Sequence, residues 1–68
     1  MHPSSDKTKL TSREQEVLRG IAAGMSTKAI AEHYGVSAGT ISTHRHSILK
    51  KTGCRTSAQA VMKILITN

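Results

Sequence analysis

A stripe of small polar side chains and cations is the part of the sequence best suited to chemistry. On a helix over 37–52, Ile41 and Ile48 point to one side. The opposite side carries Gly39, Ser42, Thr43, His46 and Lys50. Hydroxyl and imidazole groups donate and accept hydrogen bonds, and no large apolar group interrupts them. The stripe could therefore contact base edges in a DNA major groove, with Ser42, Thr43 and His46 as the candidate base-reading residues.

Cations and helix starts around this stripe could hold a phosphate backbone. Lys50 and Lys51 close the predicted helix, and Gly39 would let the backbone approach a phosphate. Ser26 and Ser37 begin helices whose N–H groups can bind phosphate oxygens, although a serine at such a position serves first as a helix cap. The candidate phosphate contacts are Thr27, Lys28, Ser37, Thr40, Arg45, Lys50 and Lys51.

The sequence predicts no catalytic or metal site. His44 and His46 stand two residues apart, so they lie on different faces of a helix and cannot chelate a metal together. His44 lies at the edge of the buried face, where it would pack or form hydrogen bonds. Because no nucleophile, base and orienting group are suggested together and no phosphate-binding glycine loop is present, we expect neither enzyme activity nor a cofactor.

The charge of the chain favours an anionic partner. Ten Lys and Arg residues against four Asp and Glu give the 68 residues a formal net charge of +6. No acidic residue follows Glu32, and the cations that do follow it are Arg45, Lys50, Lys51, Arg55 and Lys63. This one-sided distribution suits a polyanion, although a run of cations is often only a solvated surface.

Start and stop signals divide the chain into helices. Each helix is predicted to start at a Ser or Thr cap and the first three to end at a glycine: Thr11 to Gly24, Ser26 to Gly35, Ser37 to Gly53, and Thr56 onward. Glu14 and Gln59 complete capping boxes with Thr11 and Thr56. Since no sustained period-two alternation occurs, we expect an all-α domain over 10–68, preceded by a flexible polar segment over 1–9.

The second and third helices match a helix-turn-helix. Gly35 permits the sharp turn, Ser37 restarts the helix at once, and Ala31 is small enough for a close crossing. Ile41 would fill the angle between the two axes. These residues alone also fit an ordinary helical hairpin, but with the polar stripe they indicate a recognition helix.

The motifs together resemble the LuxR-type (GerE-type) DNA-binding domain, over residues 10 to about 66. They are Leu10-Thr11-Ser12-Arg13-Glu14, Val17-Leu18, Gly24-Met25-Ser26, Lys28, Ile30-Ala31, Gly35-Val36-Ser37, Thr40-Ile41, His44-Arg45, Ile48 and Lys51. The resemblance implies a four-helix domain whose third helix enters the major groove. Many relatives carry Lys or Val where this chain has Ser42 and Thr43, and Asn where it has Thr27, so we expect its preferred base sequence to differ from theirs.

The resemblance also implies a context for the domain. Such domains usually form the C-terminal output half of a two-component response regulator or a signal-binding regulator, with RNA polymerase as a further candidate partner. This chain contains no receiver or signal-binding half, so we expect either an excised domain or a stand-alone member. At Cys54 relatives have an aliphatic residue, which favours a small buried hydrophobe over a redox sensor.

The fourth helix carries more apolar surface than packing on one side requires. Its apolar residues spread over an arc of roughly 240°, counting about 100° per residue. Either the helix is buried unusually deeply, or an outer stripe of Ala58, Met62 and Ile66 is an interface. The resemblance implies the interface, with two copies pairing through this helix on inverted half-sites about one DNA turn apart.

Two other readings remain open. A sigma-factor promoter-reading domain shares the helix-turn-helix, but the capped fourth helix argues against it. A protein-interaction module of the anti-activator type could use the fourth helix while the basic face is incidental.

A single cysteine fits a reducing cytoplasm, and neither a signal peptide nor an apolar run of roughly 20 residues is present, so we expect a cytoplasmic protein without a membrane partner.

Overall fold

The computed structural model describes residues 10–66. In this range the chain forms α1 (Ser12–Ala22), α2 (Thr27–Tyr34), α3 (Ala38–Thr52) and α4 (Ser57–Val61), and a π-helical turn, Met62–Ile66, follows α4 directly. No strand occurs within these bounds, so the predicted all-α, four-helix class is confirmed. The segment over 1–9, predicted to be flexible, lies outside the described residues.

The predicted caps begin every α-helix. Ser26, Ser37 and Thr56 each accept a hydrogen bond from the backbone N–H three residues ahead, at 3.0 to 3.1 Å. At α1 the capping box is complete, since Thr11 Oγ1 accepts from the N–H of Glu14 and Glu14 Oε1 accepts from the N–H of Thr11. These local bonds satisfy amides that a helix start otherwise leaves without partners.

The second predicted capping box is wrong in its return half. Gln59 Oε1 accepts from the N–H of Arg55 at 2.8 Å, one residue before the cap Thr56. The loop after Gly53 therefore presents the amide of Arg55 to the glutamine, and Thr56 keeps only the forward bond to Gln59 N–H. Thr56 therefore still caps the N-terminus of α4, and the bond from Arg55 to Gln59 also holds the loop that precedes this helix.

Every helix contributes to one hydrophobic core. The buried apolar residues are Leu10, Val17, Leu18, Ile30, Ala31, Ile41, Ile48 and Ala60. Burying each of the larger aliphatic side chains stabilises the fold by about 1.5–3 kcal/mol. Cys54, predicted to be a small buried hydrophobe, is half-buried at the edge of this core and packs against it.

The turn between α2 and α3 has the predicted helix-turn-helix geometry. Gly35 adopts φ 69° and ψ 33°, a left-handed conformation that glycine takes at low cost. The N–H of Val36 then donates to the carbonyl of Ala31 at 2.9 Å and closes the helix end. Ile41 is fully buried where the two helices meet, and Ala31 is 3% exposed. With α1 and α4 packed on its inner side, α3 turns its other face outward.

The seam between α1 and α2 contains the only Tyr, Phe or Trp residue of the chain, Tyr34. The guanidinium carbon of Arg13 lies 4.4 Å from the centroid of its ring, and the ring of His33 approaches edge-on at 4.7 Å. In the same contact between α1 and α2, the side chain of Ile30 packs directly against Gly20. A Cβ at Gly20 would lie 3.0 Å from Ile30 Cγ1, so this position has no space for a larger residue. The two helices therefore pack closely.

Candidate nucleic-acid interface

The outer face of α3 presents the three candidate base-reading side chains together. Ser42, Thr43 and His46 are all exposed, and so is Lys50 one turn beyond His46. Thr43 Oγ1 donates to the carbonyl of Gly39 at 3.0 Å. This bond orients the Thr43 side chain and leaves its oxygen as an acceptor and its methyl for apolar contact with a thymine methyl.

The starts of α2 and α3 lie beside this face and use their serines as caps. Ser37 Oγ accepts from the N–H of Thr40 and also bonds the hydroxyl of Thr40 at 3.0 Å. Ser26 Oγ accepts from the N–H of Ala29. Capping is thus the first role of both serines, as expected. Thr40 and Lys28 are exposed and available for contact with a phosphate.

Arg45 is tied into the protein rather than extended to solvent. Its Nη1 donates to Thr27 Oγ1 at 2.6 Å, and its Nη2 donates to Ser57 Oγ at 3.0 Å. Thr27 starts α2 and Ser57 starts α4, so one guanidinium on α3 joins the beginnings of both helices. Arg45 and Thr27, both predicted phosphate contacts, therefore have a structural role in the free protein.

Lys51 also has an intramolecular partner. Its Nζ lies 2.8 Å from Glu14 Oε1, and Ser47 Oγ donates to Glu14 Oε2 at 2.7 Å. Burial of Glu14 raises the pKa of its carboxyl, but the hydrogen bonds from Lys51, the N–H of Thr11 and Ser47 outweigh burial and lower the pKa to about 2. Glu14 is therefore a buried carboxylate that remains charged.

The sequence did not predict the roles of Ser47 and Ser57. It also did not predict that Glu14 contacts α3. The sequence signal at Glu14 was the local box with Thr11, which accounts for only one of the two carboxylate oxygens. Its bonds to α3 span 33 and 37 positions. No local pattern marks such a pair, because the packing of α1 on α3 creates it.

The described part of the chain contains no group of three or more His, Cys, Asp or Glu residues placed to hold a metal ion. His46 is exposed on the outer face, whereas His44 is half-buried at its edge, as predicted. Among residues 10–66, no helix is both long and apolar enough to cross a membrane.

The predicted interface residues of the last helix form one exposed surface. Ala58 is exposed, and Met62 and Ile66 are 53% and 65% exposed. With Ile21, Ala22 and Val61 they line an open apolar groove of about 330 Å³ between α1 and the last helix. Ala60 is the residue of this helix that is fully buried, so the helix is not enclosed by its neighbours.

Comparison with known proteins gives a consistent picture. The family GerE, described as "Bacterial regulatory proteins, luxR family", matches residues 8–64. The chain is 47% identical over 49 residues to the transcriptional regulatory protein MctR of Rhizobium johnstonii, covering 72% of this chain and 23% of that protein. It is 39% identical over 61 residues to the transcriptional regulatory protein YdfI of Bacillus subtilis, covering 90% of this chain and 29% of that protein.

A third relative is an uncharacterized response regulatory protein, YgeK, of Escherichia coli K12. The identity is 36% over 61 residues, covering 90% of this chain and 42% of that protein. The chain therefore spans well under half the length of these relatives. No solved structure gives a significant match.

Proposed function

Since this chain belongs to the luxR family of bacterial regulatory proteins and is a DNA-binding domain for transcription regulation, we propose that it reads specific double-stranded DNA sites with α3 in the major groove. The observation that carries this proposal is the shared exposure of Ser42, Thr43 and His46 on one face of α3. Compact hydrogen-bonding groups on the outer face of a helix can reach base edges without steric conflict.

The backbone contacts of this proposal surround that face. Lys50 and Lys28 supply charge, while Thr40, Thr27 and the amides that follow Ser37 supply hydrogen-bond donors. Arg45 has further N–H groups beyond the two that bond Thr27 and Ser57, so it can add to a phosphate contact that Thr27 makes. Lys51 differs, because its Nζ is held by Glu14.

The assembly and context form the second part of the proposal. Two copies pair through Ala58, Met62 and Ile66, whose exposed apolar surface supports a contact between identical helices on inverted half-sites. The domain acts in a two-component response regulator, where a receiver domain controls it and RNA polymerase is a partner; the name of the relative YgeK supports this context.

The first experiment selects bound sites from a random DNA pool and then measures affinity for the selected site at several salt concentrations. We expect affinity to fall steeply with salt, because each phosphate contact releases counterions. Lys50→Ala should weaken binding to all sequences and reduce the slope of log K against log salt by about 1. Arg19→Ala, which removes an exposed cation of α1, serves as the control and should leave the slope unchanged.

The second variant tests base reading. His46→Ala should relax the sequence preference at one position of the site, since a lost base contact costs about 1–3 kcal/mol of discrimination. His33→Ala on α2 is the matched control and should preserve the preference. An equal loss on every DNA after His46→Ala would contradict base reading by His46. Tight, salt-insensitive binding to a protein without any binding to DNA would instead support an interaction module.

A further inference from the structure

We propose that Glu14 is a positioning residue for DNA recognition. Its carboxylate accepts hydrogen bonds from Ser47 and Lys51 and thereby fixes the rotation of α3 about its own axis. This inference rests on the proposed function, because it concerns how α3 is aimed at DNA. It assigns Lys51 to the support of the recognition helix rather than to a phosphate.

The hydrogen bonds of Glu14 join two turns of α3 to the first turn of α1. Ser47 and Lys51 are four residues apart, so they lie above one another on the same helix face. Glu14 Oε2 accepts from Ser47 at 2.7 Å, and Oε1 accepts from Lys51 at 2.8 Å. Oε1 also accepts from the N–H of Thr11 at 2.9 Å, which anchors the carboxylate at the start of α1.

A helix cap alone does not explain this carboxylate. A neutral glutamine can supply the single oxygen that a capping box requires. Glu14 is instead only 4% exposed, and burying a charge is costly unless it is paired and hydrogen-bonded. The two donors from α3 supply that compensation. The charge of Glu14 therefore serves the contact between α1 and α3.

The bonds to Glu14 determine which way the outer face of α3 points. Ser47 directly follows His46, and Lys51 directly follows Lys50, so each residue bonded to Glu14 is adjacent to an exposed one. Side-chain tips lie about 5–6 Å from a helix axis, so a rotation of roughly 20° would move them by about 2 Å. Such a shift breaks a hydrogen bond to a base edge. Since hydrogen bonds weaken steeply when they are misaligned, the two bonds to Glu14 add a directional constraint on rotation to the packing of Ile41 and Ile48.

The pairing also separates the two neighbouring lysines by role. Lys50 is exposed, whereas the side chain of Lys51 is 27% exposed with its Nζ on Glu14. A lysine whose charge is already compensated by a carboxylate does not release counterions from DNA as a phosphate contact does. The salt dependence of binding therefore distinguishes the two residues.

The experiment compares Lys51→Met with Lys50→Met on the selected DNA site and on a scrambled sequence. For Lys51→Met we expect an unchanged salt slope, and a roughly tenfold smaller ratio of affinities for the selected and scrambled DNA, which is the size of one mismatched base contact. For Lys50→Met we expect a slope smaller by about 1 and an unchanged ratio. Lys51→Arg, which can still pair with Glu14, should retain the wild-type ratio.

Ser47→Ala is the milder variant if Lys51→Met does not fold, as judged by circular dichroism, and it should lower the same ratio with no effect on the slope. A flatter slope for Lys51→Met would assign Lys51 to a phosphate and overturn the proposal. A wild-type ratio in the folded Lys51→Met or Ser47→Ala variant would overturn it as well. If the unaltered chain showed no salt-dependent DNA binding, the proposed function itself would fail, so the two failures are distinguishable.

Discussion

Arg45 Nη1 donates to Thr27 Oγ1 at 2.6 Å, although the two residues are 18 positions apart. The same guanidinium reaches Ser57, so the recognition helix carries a bridge to the first turns of both α2 and α4. The planar fork of arginine suits this arrangement, because two of its nitrogens can donate to separate acceptors at fixed spacing.

Arg45→Met should therefore lower the free energy of unfolding by about 1–2 kcal/mol, since hydrogen bonds to charged groups contribute more than neutral ones but this group is only half-buried. Urea unfolding followed by circular dichroism measures the change. Arg55→Met is the control, because Arg55 is exposed, and its midpoint should stay close to that of the unaltered chain. Equal midpoints for the two variants would show that the bridge adds no stability.

Glu14 makes the free energy of unfolding dependent on pH in the acidic range. Its pKa falls from 4.5 to about 2 on folding, so the native state binds fewer protons than the unfolded state between these values. The stabilisation is fully present above about pH 5 and is lost as the pH falls through about 2. We expect a loss on the order of 2–3 kcal/mol in the free energy of unfolding across this window. In Glu14→Gln the stability curve should be flatter there; parallel curves would contradict the assignment.

Gly35 and Gly39 should respond in opposite directions to the same added methyl. Gly35→Ala should destabilise by about 1 kcal/mol, because the backbone at φ 69° is left-handed while nothing lies within 4 Å of the new Cβ. Gly39→Ala should stabilise by about 0.5–1 kcal/mol, because Gly39 is inside α3 and the nearest atom, Ser37 Oγ, is at 3.7 Å. Thermal unfolding measures both.

Gly39→Ala also tests how closely the backbone approaches DNA. The added methyl stands on the exposed side of α3, so we expect weaker DNA binding despite the higher stability. Affinity equal to that of the unaltered chain would place Gly39 away from the phosphates.

Met62→Glu should abolish cooperative binding to DNA that carries two inverted half-sites, because it places a charge in the apolar groove beside Ile66. Affinity for a single half-site should change little. Gln59→Glu is the matched control, since it adds the same charge on an exposed position of α4 and keeps the acceptor for the N–H of Arg55. Retained cooperativity in Met62→Glu would remove this surface from the proposed dimer.

The sequence predicted those features of the fold that depend on neighbouring residues. The caps at Ser26 and Ser37 and the left-handed Gly35 need only a few adjacent positions, and the structure confirms them. The exposed stripe on α3 followed from helical periodicity once Ile41 and Ile48 were assigned to the core. Its role in reading bases stays a prediction.

The features that the sequence did not predict arise from packing between distant segments. Thr27 and Arg45 were both candidates for phosphate contact, but only the crossing of α2 and α3 places them in contact with each other. The last helix was treated as regular, whereas Met62–Ile66 forms a π-helical turn that changes the angular spacing of its side chains. The return bond of Gln59 depends on the path of the preceding loop, which residue types alone do not specify.

The position of Tyr34 gives the protein an internal spectroscopic probe. Because the chain contains no tryptophan or phenylalanine, the near-ultraviolet absorption band and the fluorescence of the folded domain come from this one phenol. Its ring is covered by Arg13 of α1, so its signal reports the docking of α1 on α2. Tyrosine emission can therefore follow assembly of the scaffold independently of events on the outer face of α3.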